Sequence, residues 1–141
     1  MKSFESYLLT NEVIRVSTDK NLIKSLVDDA INRMEYHTGL KLTLNNSKYI
    51  FENCYEAVRE LLDALLLMEG YKSYSHQAPI VYARDKDIIS HRDAIIMDRL
   101  RDKRNKSKYY GKKINRKEVG KDIIFLKYIF KKVLQSLKDF Y

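Results

Sequence analysis

Hydrophobic residues recur every three or four positions along most of this chain, which is the spacing of amphipathic helices. The strongest helix is predicted over residues 48–69, where the apolar positions form a wide stripe: Phe51, Cys54, Tyr55, Val58, Leu61, Leu62, Leu65 and Met68. The Leu65–Met68 run leaves almost no polar face near the end of this helix. A helix that is apolar nearly all round is expected to lie centrally or to meet a second chain.

The same spacing predicts four other helices, between Asp19 and Gly39, from His76 to about Ala83, from Ile88 to the residues before Gly111, and from Glu118 to Tyr141. Ser17–Asp19 and Ser75 are expected to cap two of them, since their side-chain oxygens accept from free backbone amides. Residues 71–76 are expected to form a short turn and residues 84–87 a connection. Residues 1–17 form a lead-in segment, in which 3–9 could be one or two helical turns and 12–16 a short strand.

These elements predict one domain over residues 1–141, an all-α fold in which four long helices and a short one form an antiparallel up-down bundle. The four glycines and single proline are few for a fold rich in turns. One cysteine excludes an internal disulfide, and a reducing, cytoplasmic setting is expected. There is no export pattern and no run of about 18 apolar residues, so no membrane partner is expected.

Positive charge is concentrated in one window. From Arg99 to Lys121 there are eleven Lys or Arg and two acids, a balance of +9, whereas the whole chain carries +8. The rest of the chain therefore sums to −1. A local excess of this size indicates an anionic partner such as phosphate, an acidic protein, or simply a solvated face.

Most catalytic patterns are missing from the sequence. We find no phosphate-cradling glycine loop, no paired carboxylates in a metal pattern and no serine–histidine–acid arrangement. No cofactor and no metal are expected. His37, His76 and His91 fall at predicted helix ends or turns, and Cys54 falls on an apolar stripe, so all four are expected to be structural.

Two segments resemble the HEPN superfamily of small α-helical prokaryotic domains. Residues 55–71, YEAVRELLDALLLMEGY, followed by Ser75-His76, are similar to the superfamily's central helix and the turn after it. Residues 104–111, RNKSKYYG, are similar to a signature in which an arginine, a polar residue and a few further positions precede a histidine. With the helix order, the resemblance spans residues 18–141.

For catalytic members, the resemblance implies metal-independent RNA cleavage at a homodimer cleft, with histidine as acid or base and arginine stabilising the phosphorane. This chain departs from the signature at Tyr109, which stands where the histidine is expected. A phenol with a pKa of about 10 is roughly one part in a thousand ionised at pH 7. Relying on that fraction costs on the order of 4 kcal/mol. Arg104 and Tyr109 also lie about 140° apart on a straight helix, so a joint site needs a break near Ser107 or a second subunit.

Three hypotheses follow. We favour a non-catalytic or weakly catalytic HEPN-type module that binds RNA, a nucleotide or a nucleotidyltransferase-type partner protein. The alternative is a homodimeric ribonuclease toxin, and the third is a structural bundle whose charge serves solubility. The candidate catalytic residues are Arg104, Asn105 and Tyr109. The candidate phosphate-binding residues are Arg101, Arg104, Lys106, Lys108, Tyr110, Lys112 and Lys113. The apolar surface of residues 61–68 and the last helix offers area for a homodimer contact.

Overall fold

The computed structural model describes residues 1–110 and 116–138, and in the first range it describes side chains through Lys106. This part of the chain is mostly helical, as the apolar spacing predicts, with six helices and two short strands. The elements in chain order are α1 Phe4–Leu9, β1 Val13–Arg15, α2 Lys20–Thr38, α3 Ser47–Met68, β2 Tyr71–Ser73, α4 Ala78–Asp85, α5 His91–Tyr110 and α6 Arg116–Lys138.

Helix α3 lies at the centre and packs against α2 and α6 on its two long sides. Its C-terminal half is buried nearly all round, because Ala57, Leu61, Ala64, Leu65 and Leu66 are each at most 1% exposed. The predicted central position of this helix is therefore confirmed. The same burial removes one argument for a dimer, since most of the apolar surface of residues 61–68 is already covered by this chain.

Local capping explains where the helices begin. The Asp19 carboxylate accepts from the backbone amides of Asn21 and Leu22 at 3.1 Å each, which caps α2 as predicted. Ser90 and Asp93 cap the start of α5 reciprocally: the Asp93 carboxylate accepts from the Ser90 amide, and the Ser90 hydroxyl accepts from the Asp93 amide. Helix α5 therefore begins at His91, later than predicted.

The segment around residues 71–77 differs from the prediction. Residues 71–73 are not a turn but strand β2, which pairs antiparallel with β1 in the register Val13↔Ser73 and Arg15↔Tyr71. Ser75 accepts from the amides of Gln77 and Ala78, so the predicted cap is present, but α4 runs from Ala78 to Asp85. The predicted connection at 84–87 is therefore partly helical.

The N-terminal lead-in is an integrated part of the fold. Both structures considered for it are present, since α1 is a helix and β1 a strand. Phe4, Tyr7 and Val13 are buried in the main core. This segment brings Tyr7 against the loop between β2 and α4, which positions the site described next.

Candidate anion-binding site

A hydrogen-bonded chain of side chains connects α1, the β2–α4 loop and α5. The Tyr7 hydroxyl donates to Gln77 Oε1 at 2.7 Å, and Gln77 Nε2 donates to Asp98 Oδ1 at 2.9 Å. Arg101 Nε donates to the same Asp98 oxygen at 2.8 Å. The Asp98 carboxylate is thus held from both sides, and it fixes the Arg101 guanidinium close to the loop that carries His76.

Arg104 lies one turn further along α5 and is buried, with 7% of its surface exposed. Its Nη2 is 2.7 Å from Glu56 Oε1 on α3, and its guanidinium carbon is 5.9 Å from the centre of the Tyr55 ring. Arg104 Nη2 and Glu56 Oε1 lie within ion-pair distance but do not form a hydrogen bond. Arg104 Nε has no hydrogen-bond partner among the described residues. Burial of a guanidinium is costly unless a carboxylate compensates it, and Glu56 does so here.

Arg59 supplies a third guanidinium, from α3. It lies 3.7 Å from Glu56 and 4.0 Å from Asp63, and its side chain is 33% exposed. Partial burial raises the pKa of Asp63 to about 6, although Arg59 acts in the opposite direction. The Glu56 carboxylate lies within ion-pair distance of two guanidinium groups, those of Arg59 and Arg104.

His76 is exposed and lies in the loop next to Gln77, and its pKa responds to these charges. Partial burial, together with the positive charges of Arg59, Arg104 and Arg101, lowers the pKa of His76, and only the Glu56 carboxylate opposes them. The three guanidinium groups outweigh Glu56 in their effect on the imidazole. Asp98 pairs with Arg101, and Asp63 lies 4.0 Å from Arg59, so the cluster is partly neutralised. We call Arg59, Arg101, Arg104 and His76 the arginine cluster.

The structure brings together only part of the predicted site. Arg101 and Arg104 belong to the arginine cluster, and Asn105 follows them in a half-buried position. Lys106 does not belong to it, because it is exposed and pairs with Asp102 at 3.0 Å on another face of α5. Lys108, Tyr109 and Tyr110 lie within α5, but their side chains are outside the described part, as are Lys112 and Lys113 entirely.

Helix α5 has no break near Ser107, because it continues to Tyr110. Positions 104 and 109 therefore lie about 140° apart on one continuous helix. The predicted joint site of Arg104 and Tyr109 would therefore need a second subunit.

The positive window is less unbalanced in three dimensions than in the sequence. Carboxylates from outside the window pair with its cations: Glu56 with Arg104, Asp98 with Arg101, and Asp122 with Lys103. Counting over residues 99–121 missed Asp98 and Asp122 because they lie one residue beyond the ends of the window, and it missed Glu56 because that residue belongs to α3. The window alone is therefore a poor guide to the site.

His76 and Glu56 are the functional candidates that sequence reasoning missed. His76 was expected to be a turn residue, since it lies far from Arg104 along the chain. The available signal was Ser75, which caps α4 and fixes the loop that holds His76. Glu56 had no signal beyond its place on a predicted central helix.

Within 1–110 and 116–138 no group of three or more His, Cys, Asp or Glu side chains is arranged to hold a metal ion. No described helix combines the length and apolar character needed to cross a bilayer.

Burial raises the pKa of the Cys54 thiol to about 11, which fits the predicted core role of this residue.

Comparisons with known proteins do not identify the chain. No protein-family model matches it, and neither the curated proteins nor the solved structures yielded a match. The resemblance to the HEPN superfamily therefore depends on the two sequence segments alone.

Proposed function

We propose that this chain is a HEPN-type helical module that binds RNA or a nucleotide by holding a phosphate at the arginine cluster. The observation that carries the proposal is the grouping of three guanidinium groups: Arg59 and Arg104 share Glu56, and Arg101 is held by Asp98. Gln77, in the loop that carries the exposed His76, donates to the same Asp98 carboxylate. Arginine presents a planar fork of donors that matches phosphate oxygens. Arg59 and Arg101 keep part of their side chains exposed and are placed to make the contact, while the buried Arg104 contributes positive field.

The finer architecture belongs to the same proposal. We propose the antiparallel, HEPN-like bundle of four long helices, on the support of the central position of α3 and the lengths of α2, α3, α5 and α6. A homodimer and a nucleotidyltransferase-type partner protein are also proposed, and the resemblance is their support. The dimer contact must use a surface other than the buried side chains of residues 61–66.

The proposal is tested by binding of a fluorescein-labelled single-stranded RNA, followed by anisotropy at low salt. Arg59→Gln and Arg101→Gln should each weaken binding about fivefold, because each removes a charged hydrogen-bond donor to phosphate. Lys24→Gln, on the exposed face of α2, is the matched control and should bind as the wild type does. Equal affinity of all four proteins would refute the site.

Metal-independent RNA cleavage is the second candidate function, and one observation favours it. His76 provides near Arg104 the imidazole that the sequence signature lacks at Tyr109. Its lowered pKa keeps the ring neutral at pH 7, which is the form that can accept a proton from a ribose 2′-hydroxyl. Attack of that oxygen on phosphorus would displace the 5′-oxygen and leave a 2′,3′-cyclic phosphate.

Incubation of the protein with mixed RNA in EDTA separates the two candidates. Cleavage that His76→Gln abolishes and Tyr109→Phe retains would establish the nuclease with His76 as the base. Cleavage lost in Tyr109→Phe would instead support the site of Arg104, Asn105 and Tyr109. Intact RNA together with salt-sensitive binding would support the binding module.

A further inference from the structure

Helices α5 and α6 run antiparallel with a register set by two groups of polar contacts. Lys103 pairs with Glu118 and Asp122 near the C-terminal end of α5. Near its N-terminal end, Asp93 lies 3.7 Å from Lys132 and accepts from the Tyr128 hydroxyl at 3.4 Å. This register places Ile95 level with Tyr128.

Three large hydrophobic side chains on these helices face away from the core. Ile95 is 52% exposed, Ile124 is 71% exposed and Tyr128 is 44% exposed. The register places Ile95 level with Tyr128 and Arg99 of α5 level with Ile124 of α6. Single exposed hydrophobic residues are common, and it is their combination with the surrounding cations that distinguishes this face.

Positive charge surrounds this apolar centre. Arg92, Arg99, Lys121 and Lys131 are exposed, and the ion pairs found in the described residues do not include them. The nearby carboxylates of Asp93 and Asp122 are already paired with lysines. We call the three hydrophobic and four cationic residues the α5–α6 outer face.

A groove extends this face beyond Lys131. It has a volume of about 590 Å³, with Ile88 and Leu134 among its lining residues. Lys131, Lys132 and Lys138 also line it. The groove thus repeats the combination of apolar and cationic side chains found on the outer face.

We propose that the α5–α6 outer face binds an acidic amphipathic helix of a partner protein. Such a helix would place apolar side chains against Ile95, Ile124 and Tyr128 and carboxylates against the surrounding lysines and arginines. A second copy of this chain fits poorly, because two faces of the same positive charge repel each other. RNA fits less well, because the two isoleucine side chains at the centre have no charge and no hydrogen-bond donor for a phosphate group.

This surface is distinct from the arginine cluster. Arg101 and Arg104 lie on the side of α5 that faces α3 and the β2–α4 loop, whereas Ile95 and Arg99 lie on the outward side. The proposal therefore does not depend on RNA binding at the cluster, and either can fail alone.

The test uses a fluorescein-labelled synthetic helical peptide with glutamates on one face and leucines on the other. The full chain should bind this peptide, and a scrambled peptide of the same composition should bind at least tenfold more weakly. Ile124→Ser should weaken binding about fivefold, because it removes apolar area from the centre of the contact. Leu44→Ser is the matched control, since Leu44 is 79% exposed elsewhere on the molecule and should be neutral.

Four outcomes would overturn the proposal. The first is equal binding of the ordered and scrambled peptides, which would indicate a purely ionic attraction. The second is equal behaviour of Ile124→Ser and Leu44→Ser. The third is concentration-dependent self-association in analytical ultracentrifugation that Ile124→Ser abolishes, which would assign the face to a second copy. The fourth is displacement of the peptide by a single-stranded RNA whose own binding Ile124→Ser weakens, which would assign it to nucleic acid.

Discussion

At the scale of single residues, the contact between Arg104 and Glu56 joins α5 to α3 through a largely buried ion pair. Removing the cation leaves Glu56 partly buried with only the more distant Arg59 at 3.7 Å. We expect Arg104→Gln to lower the free energy of unfolding by about 2 kcal/mol, measured by urea denaturation. Lys106→Gln breaks an exposed pair on the same helix and should cost less than about 0.5 kcal/mol. Similar losses in both variants would contradict the account.

The pKa of His76 measures the field of the arginine cluster directly. Partial burial, Arg59 and Arg104 hold this pKa below its ordinary value. An NMR titration of the imidazole should show the lowered value in the wild type. Arg59→Gln should raise it, because a cation that repels the imidazolium is removed. Lys24→Gln should leave it unchanged. A pKa that does not respond to Arg59→Gln would show that the guanidinium does not act on His76.

Sequence reasoning identified Arg101 and Arg104 because both lie in one charged window on one helix. It did not identify His76, because the position of His76 relative to α5 depends on how the β2–α4 loop packs, with Gln77 donating to Asp98. Local periodicity carries no information about such long-range proximity. Glu56 was missed for the same reason, since its partner Arg104 lies on a different helix.

At the scale of elements, Gly70 and Gly120 differ in backbone conformation and in the space around them. Gly70 joins α3 to β2 at φ +85°, and a Cβ there would lie 3.4 Å from the Val16 carbonyl oxygen. Gly70→Ala should therefore destabilise the protein by about 1–2 kcal/mol. Gly120 lies inside α6 with open space around it, so Gly120→Ala should stabilise by about 0.5–1 kcal/mol. Thermal or urea unfolding checks both, and shifts of the same sign would contradict these backbone assignments.

At the contact between α2 and α3, the side-chain carboxyl of Glu60 has a raised pKa. Burial and a hydrogen bond with Asp29 raise the pKa of Glu60 to about 7, although Arg33 donates to it at 2.8 Å. A raised pKa means that the folded state favours the protonated carboxyl. The stability that this group contributes is complete below pH 4.5 and is lost as the pH rises through about 7.

Glu60→Gln mimics the protonated carboxyl and should remove this pH dependence. Between pH 5 and pH 8 we expect the wild type to lose about 1 kcal/mol of unfolding free energy relative to Glu60→Gln. Urea denaturation at the two pH values measures the difference. Glu35→Gln, at an exposed position of α2, should retain the wild-type dependence. Parallel pH profiles for wild type and Glu60→Gln would rule out the assigned protonation.

Helices could be predicted from the sequence more readily than short strands. The apolar stripes of α2, α3 and α6 repeat over several turns, which predicts all three helices. Helix α6 begins at Arg116 rather than Glu118, and its predicted end at Tyr141 lies outside the described residues. Strand β2 has three residues, which is too short for alternation to show, and its pairing with β1 depends on the N-terminal segment folding back. In the N-terminal segment, residues 3–9 could be one or two helical turns and residues 12–16 a short strand or simply a lead-in; the structure has helix α1 and strand β1 there.

At the scale of the whole molecule, positive charge is divided between two surfaces. The arginine cluster is partly neutralised by Glu56 and Asp98, whereas the α5–α6 outer face has four exposed cations outside the ion pairs of the described residues. A net charge of +8 therefore predicts attraction to anions without specifying which surface meets them. The arginine cluster combines the partly exposed Arg59 and Arg101 with the exposed His76, so it carries the proposed phosphate contact.

The measurement that tests this claim most directly is the salt dependence of RNA binding. Each phosphate contact on a single strand contributes a slope of roughly 0.7 to the plot of log affinity against log salt concentration. The double variant Arg59→Gln/Arg101→Gln should therefore bind more weakly and lower the wild-type slope by about 1.4. Lys24→Gln should keep both the affinity and the slope. An unchanged slope in the double variant, with RNA still bound, would contradict phosphate recognition at the arginine cluster.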